Sequence, residues 1–365
     1  MYRFFRVLIL LGSVLFISSC GFSSQAPAPT GAELSLRAVS YARLPNWESD
    51  SHAAALQAFE RSCAAILRRE PRDWFGPSRA FGQVSKWQRA CRNAPQARGS
   101  NLRAKRFFES HFQPYHVSGR GTFTGYYEVA VRGSRTRSAQ YSFPVYARPS
   151  DLAARSPYYS RAQINDGILS RRNLEILYLQ TAADAFLLHV QGSGAVYLSD
   201  GSQTRLSYAG NNGHGFKSIL SALRAAGYDT RREGGSMLDY RRWLNQNPQK
   251  AVQVIEANPR YIFFRETNGN GPVGAQGVEL TAGRSLAVDD TYLAYGVPIY
   301  LDTTFIDPDM NNRPRNLERL VIAQDTGAAI KGRVRGDFFW GTGEAALKYA
   351  GRMKQEGRYT LLLPR

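Results

Sequence analysis

Residues 320–341 read Leu320-Val321-Ile322-Ala323-Gln324-Asp325-Thr326-Gly327-Ala328-Ala329-Ile330-Lys331-Gly332-Arg333-Val334-Arg335-Gly336-Asp337-Phe338-Phe339-Trp340-Gly341. Two short apolar runs, Leu320 to Gln324 and Asp337 to Phe339, flank a glycine-containing turn region, and each brings an aspartate to a strand end. Ser285-Leu286-Ala287-Val288-Asp289 repeats that layout, and Val297 to Leu301 and Tyr359 to Leu363 read as further strands. A helix capped at Thr342 precedes the last strand. Strands in such close succession, without long helices between them, predict a barrel.

Working outward, residues from 119 onward alternate short β-like runs with glycine. The runs are Thr122 to Tyr127, Phe143 to Tyr146, Leu174 to Leu179, Ala185 to Val190, Ala195 to Leu198 and Tyr261 to Phe264. Ser160 with Gln163 has capping-box spacing and predicts a helix there. Further helices are expected over 215–226, around Trp243-Leu244 and over 252–257. Before residue 115 the chain reads as helical. Leu56, Phe59, Cys63, Ile66 and Leu67 recur at three- and four-residue steps within 50–69, Trp87 and Cys91 repeat the spacing, and Asn101 is placed to cap a helix carrying Phe107 and Phe108. The expected class is mainly β with peripheral helices.

A length of 365 residues with 43% hydrophobic content supports a sizeable core and about two domains. Residues 1–20 have a basic start (Arg3, Arg6), a short apolar run and Ile17-Ser18-Ser19-Cys20, the layout of an export signal. This end resembles the bacterial lipobox, which implies cleavage before Cys20 and acylation of that cysteine. Gly21 stands where inner-membrane lipoproteins usually carry Asp, so the resemblance implies lipid anchoring in the outer membrane, facing the periplasm. Residues 21–40, opening with a Ser-, Ala-, Pro- and Gly-rich stretch, read as a flexible tether. In an oxidising compartment Cys63 and Cys91 are expected to bridge, the alternative being two buried thiols.

The formal charge of +18 suits any polyanion. An exported chain with scattered Lys and Arg points away from nucleic acid and toward anionic polymers of the envelope. Five histidines and three cysteines show no metal-ligand spacing, so neither a metal nor another cofactor is expected. Gly269 to Gly274 formally matches GxGxxG, but Pro272 occupies the turn and no helix signal follows. His189 falls in an apolar run read as strand, as a core residue, and His214 is a candidate groove residue. The carboxylates carry more information. If Asp325 and Asp337 are close, repulsion raises one pKa, and Phe338, Phe339 and Trp340 add desolvation in the same direction. An acid kept protonated is what glycosidic-bond cleavage requires. The alternative for Asp289 and Asp325 is turn capping through backbone amides.

Arg284 to Asp289, Ala323 to Gly332 and Arg335 to Gly341 resemble the "three-aspartate" domain of the membrane-bound lytic murein transglycosylase A family. Phe123-Thr124-Gly125-Tyr126-Tyr127-Glu128, Val190-Gln191-Gly192-Ser193-Gly194, Ser207 to His214 and Asn258 to Phe264 are similar to the family's other signatures, in order. The departures, Val129 for a common proline and Ala328 for a second glycine, touch no carboxylate. The resemblance implies a double-psi β-barrel over 41–125 and 265–365, with N-terminal helices, and an inserted second β domain over 126–264, glycan lying in the groove between them. It maps the catalytic aspartate onto Asp337, with Asp325 and Asp289 supporting. Tyr126, Tyr127, Gln191, Ser193, Asn212, Gly213, Thr326, Lys331 and Trp340 become candidate substrate-binding residues.

The implied reaction cuts the β-1,4 bond between N-acetylmuramic acid and N-acetylglucosamine without water, leaving 1,6-anhydro ends. The nucleophile is the sugar's own C6 hydroxyl, so one acid suffices where ordinary glycosidases need two carboxylates. Peptidoglycan strands are the expected partner, with cell-wall synthesis or division proteins as further, unidentified ones. Two other readings compete: a non-catalytic expansin-like wall-binding barrel, and an aspartic protease using Asp325-Thr326-Gly327, which would have to dimerise because the chain has one such motif.

Overall fold

The computed structural model describes residues 33–267, 269, 271–327 and 329–365. The signal, Cys20 and the first part of the tether lie outside the described residues. The chain begins with β1 (Leu36–Ala38), α1 (His52–Ile66), α2 (Val84–Asn93), α3 (Asn101–His111), β2 (Phe112–Val117) and β3 (Gly121–Glu128). It continues with β4 (Ala130–Ser134), β5 (Phe143–Tyr146), α4 (Arg161–Asn165), β6 (Glu175–Leu179), α5 (Ala182–Gln191), β7 (Ser193–Leu198) and β8 (Gln203–Asn211). Then come α6 (Leu220–Ala225), α7 (Thr230–Glu233), α8 (Met237–Gln246), α9 (Pro248–Glu256) and β9 (Ile262–Thr267). The last section holds β10 (Ser285–Val288), β11 (Pro298–Asp307), β12 (Arg313–Asp325), β13 (Gly336–Thr342), α10 (Gly343–Ala350) and β14 (Lys354–Pro364).

One sheet runs β1-β2-β14-β11-β12-β10-β13-β3, and a β14–β3 pairing closes six of its strands into a barrel. Parallel pairs β10–β12 and β13–β3 sit among antiparallel ones, the mixture a double-psi barrel requires. Closure leaves β3 and β14 paired at the seam, while the β11–β12 hairpin runs past the barrel with residues 303–307 and 313–321 paired on one side only. The second sheet runs β5-β6-β4-β7-β8-β9. The chain passes from one sheet to the other at Val129, between β3 and β4, and the buried Glu128 holds that crossing. Its carboxylate pairs with Arg205 of β8 and accepts a 2.7 Å hydrogen bond from Thr342 of β13.

The N-terminal helices cover one side of the barrel. Leu56, Phe59 and Ile66 of α1 are buried as their spacing predicts, each contributing about 1.5–3 kcal/mol, whereas Leu67 is exposed. Cys63 and Cys91 form a disulfide tying α1 to α2; closing a loop of that separation is worth about 3–4 kcal/mol in the chain-entropy model. Buried Asp50 takes both terminal nitrogens of Arg284 and the Leu320 amide, pinning the segment before α1 to β10 and β12.

Several expectations are corrected. Residues 36–38 pair with β2, so the expected tether does not extend unstructured to residue 40. Ser100, not Asn101, caps α3. The helix expected over 215–226 starts only at Leu220. Ala185 to Val190 is helix α5, not strand. That apolar run is buried on nearly all sides, so it shows no period, and the informative signal was Thr181, whose side chain caps the Asp184 amide.

Candidate active site

Pairing across β12, β10, β13 and β3 places four residues in one row. Ala287 sits opposite Asp325 on one side and Asp337 on the other, and Asp337 sits opposite Thr124. The register shifts at Ala287, so that Asp325 and not Gln324 enters the row. The surplus Gln324 is fully buried and donates to Ala58 O and Ser62 Oγ, both at 2.9 Å. Two strand spacings separate the two aspartate backbones, roughly 10 Å, with only the methyl group of Ala287 between them.

Thr124 Oγ1 donates to Asp337 Oδ1 at 2.6 Å, and Arg335 Nη2 donates to Thr124 Oγ1 at 2.8 Å. A guanidinium can only donate, so the threonine's own proton is committed to Oδ1. Oδ2 has no hydrogen-bond partner among the described residues and is the oxygen left to carry an acidic proton. Burial, more than any other influence, pushes the Asp337 carboxyl above the usual range, and the charge of Asp325 adds to it. The Thr124 hydrogen bond and the Arg335 charge oppose that rise without cancelling it.

Asp325 is held through both of its oxygens. Its Oδ1 accepts from the Ala275 and Thr326 amides, each at 2.9 Å, and its Oδ2 from the Tyr126 hydroxyl at 3.0 Å. Burial and the Asp325 charge push the Tyr126 phenol well up, so it stays a donor. Asp289 lies beyond the row. It accepts from the Gly332 amide at 2.7 Å and from Thr291, and Lys331 stands 3.5 Å away. Burial would raise the Asp289 carboxyl, but these donors and the Lys331 charge outweigh it and leave it low. Thr326 Oγ1 donates to Val288 O at 2.7 Å. Asp289, Thr326 and Lys331 thus fasten the 326–332 loop to the end of β10, the turn-capping alternative for Asp289.

The remaining candidates divide by face. Tyr126 shares Asp337's face, its ring 5.1 Å from Phe339. Trp340 does not, because strand alternation sends it with Phe338 to the opposite face. There it stacks on Tyr349 at 4.8 Å and packs against Phe305 and Phe338, so it is a packing residue and not a platform for sugar beside Asp337. Tyr127 points to that opposite face too and meets Gln191 in a cleft of about 170 Å³ beside Leu238 and Leu347, which Tyr126 also lines and Asp337 does not. Ser193 is exposed at the start of β7. Asn212 is 1% exposed and holds three backbone groups, those of Tyr159, Pro259 and Tyr261, which leaves nothing to offer a substrate. Gly213 turns the chain beside it with φ +79°. His214 Nε2 donates to Tyr158 O at 2.9 Å, and His189 is a buried residue of α5.

Thr124 and Arg335 are the functional positions that sequence reasoning missed. Neither residue type announces acid–base chemistry. The available signal was the parallel pairing of two motifs already singled out, which no spacing along the chain reveals. Among the described residues no cluster of three or more His, Cys, Asp or Glu side chains is arranged to hold a metal ion.

The sequence matches the MltA specific insert domain over residues 122–265 and the 3D domain over residues 284–363. It is 29% identical over 321 residues to membrane-bound lytic murein transglycosylase A of Escherichia coli (strain K12), spanning 86% of this chain and 84% of that protein. Among solved structures it is similar to the lytic transglycosylase LtgG of Burkholderia pseudomallei, 37% identical, covering 93% of this chain and 100% of that one at a TM-score of 0.70. It is also similar to E. coli MltA with bound chitohexaose, 26% identical, covering 92% and 96% at a TM-score of 0.68. The row of residues from Asp325 to Thr124 therefore sits within two matched domains and a shared fold, and the chain belongs to the membrane-bound lytic murein transglycosylase A family.

Proposed function

We propose that this chain is a peptidoglycan lytic transglycosylase that cleaves the β-1,4 bond between N-acetylmuramic acid and N-acetylglucosamine without water, Asp337 serving as acid and then as base. The observation that carries this reading is the asymmetry of the two carboxylates. Asp337 is held toward its protonated form with one oxygen free, whereas both oxygens of Asp325 are spent on the protein. A hydrolase of the usual kind needs a second carboxylate free to act on water or on the sugar. The names of the relatives, and the chitohexaose bound to one of them, support a glycan substrate.

The proton on Asp337 Oδ2 passes to the glycosidic oxygen as its bond to the muramoyl C1 breaks. The resulting oxocarbenium-like centre can be stabilised by the sugar's own acetamido group. Asp337, now a carboxylate, takes the proton from the C6 hydroxyl while that oxygen bonds to C1, closing the 1,6-anhydro ring and restoring the acid. Thr124, oriented by Arg335, keeps Oδ1 an acceptor throughout, so the proton enters and leaves at one oxygen. Asp325 holds Tyr126 and the Ala275 amide and raises the acid through its charge. Anchoring through an acylated Cys20 in the outer membrane belongs to the same proposal.

The test is Asp337→Asn. It is expected to bind sacculi as the parent does and to lose at least about 100-fold in activity, the lower end for removing a general acid. Full activity in the variant would reject the enzymatic role of Asp337 and favour a non-catalytic wall-binding barrel.

A further inference from the structure

A cavity of about 280 Å³ opens between β5, β6 and helices α4, α5 and α9; its lining, which includes the carboxylate of Glu175, falls between Arg137 and Tyr261 and contains no residue of the Asp337 row. Two of its walls are polar and deeply buried: Arg161, 2% exposed, and His189, 6% exposed. Among the described residues no carboxylate lies within ion-pair distance of Arg161. Its Nε donates to Asn258 O at 3.0 Å, an Nη to Arg260 O, and Nη1 to His189 Nδ1 at 2.8 Å.

Those bonds determine the imidazole. Arg161 can only donate, so His189 Nδ1 must accept, and the ring's proton sits on Nε2. That Nε2–H is buried and has no partner. Three of the five guanidinium N–H groups are used and two remain. A buried guanidinium with no carboxylate beside it, held by three hydrogen bonds and by the rings of Phe186 and Tyr261 at 5.3 Å, keeps a net charge to be balanced, and an unmet buried donor is costly in a packed protein. Both costs fall if an anion with acceptor oxygens enters the cavity, where Ala182 and Ala185 of α5, on the same helix face as His189, and Val252 and Ile255 of α9 supply apolar lining.

We infer that this cavity is a second ligand site, taking a small carboxylate with a short apolar arm between Arg161, His189 and the Ala185 wall. Such a group occurs at the C-terminus of an alanine-ended cell-wall peptide and also in free short-chain acids. The volume lies just below the range of about 300–1,000 Å³ typical of ligand pockets, which suits one residue and not a chain. Only the assignment to a wall peptide rests on the proposed function.

The test is calorimetric titration of the full chain with N-acetyl-D-alanine, acetate and the neutral amide of N-acetyl-D-alanine, with no glycan present, so its outcome is independent of glycan cleavage. Saturable binding of the acid, and at least tenfold weaker binding of the amide, are expected. His189→Phe should weaken the acid at least tenfold. Ala185→Leu, which fills the cavity and leaves both polar groups in place, should abolish binding while activity on peptide-free glycan persists. N-acetyl-D-alanine binding more tightly than acetate assigns the site to a peptide terminus, and equal affinities assign it to a free acid. No saturable binding of either acid, equal binding of acid and amide, or binding unchanged in both variants would overturn the inference.

Discussion

Asp325 and Asp337 stand in one row of the barrel wall, each directly opposite Ala287, so that the strand between them contributes no more than a methyl group. The spacing lets one charge act on the other's acidity while leaving room beside Asp337. Ala287→Val should close that space at modest cost to stability, about 1–3 kcal/mol for overpacking, and a far larger loss of turnover. Thermal melting and sacculus digestion of the same preparation check this; equal turnover would show that the gap has no role.

The pH dependence has a direction that two variants should split. Asp337 must start protonated, so activity falls as pH rises through its raised pKa. Asp325→Asn removes a charge that raises it, and the alkaline limb should move to lower pH. Arg335→Gln removes a charge that lowers it, and the limb should move to higher pH. Profiles of kcat/KM against pH give the answer, and shifts in the same direction would contradict the assignment.

Thr124 orients Asp337 through its hydroxyl alone. Thr124→Val should reduce kcat by about 10- to 100-fold, the range for a hydrogen bond to a charged group, with little change in KM. Thr124→Ser should restore most of it. Equal losses in both variants would indicate a packing role.

Gly125 is required by its neighbour. A Cβ there would lie 2.6 Å from Trp340 Nε1 and 2.9 Å from the Ala350 backbone. Gly125→Ala is therefore expected to lower stability by about 1–3 kcal/mol, seen as a lower urea midpoint with an unchanged slope.

These residues also show what a sequence reveals. Ser285 to Val288 and Leu320 to Asp325 were read correctly as strands, whereas Ala185 to Val190, a short apolar run of the same kind, is helix, because such runs carry no period of their own. Phe59 and Ile66 were legible because their helical period was clean. Trp340 was misplaced because its face depends on strand alternation from Asp337, and its partners Phe305 and Tyr349 are distant along the chain. Asn212 was taken for a substrate ligand because an amide beside a glycine turn looks the same whether it holds a sugar or three backbone groups. Thr124 went unassigned because its partner is 213 residues away, and only the closed barrel brings the two together.

The most direct measurement of the central claim is the mass of the muropeptides released from sacculi. Cleavage by attack of the muramoyl C6 hydroxyl predicts products one water lighter than hydrolysis products, each with an anhydro end, and none from the Asp337→Asn variant. Ordinary reducing ends would contradict the account, because they require water as the nucleophile and a second carboxylate that Asp325 is not free to supply.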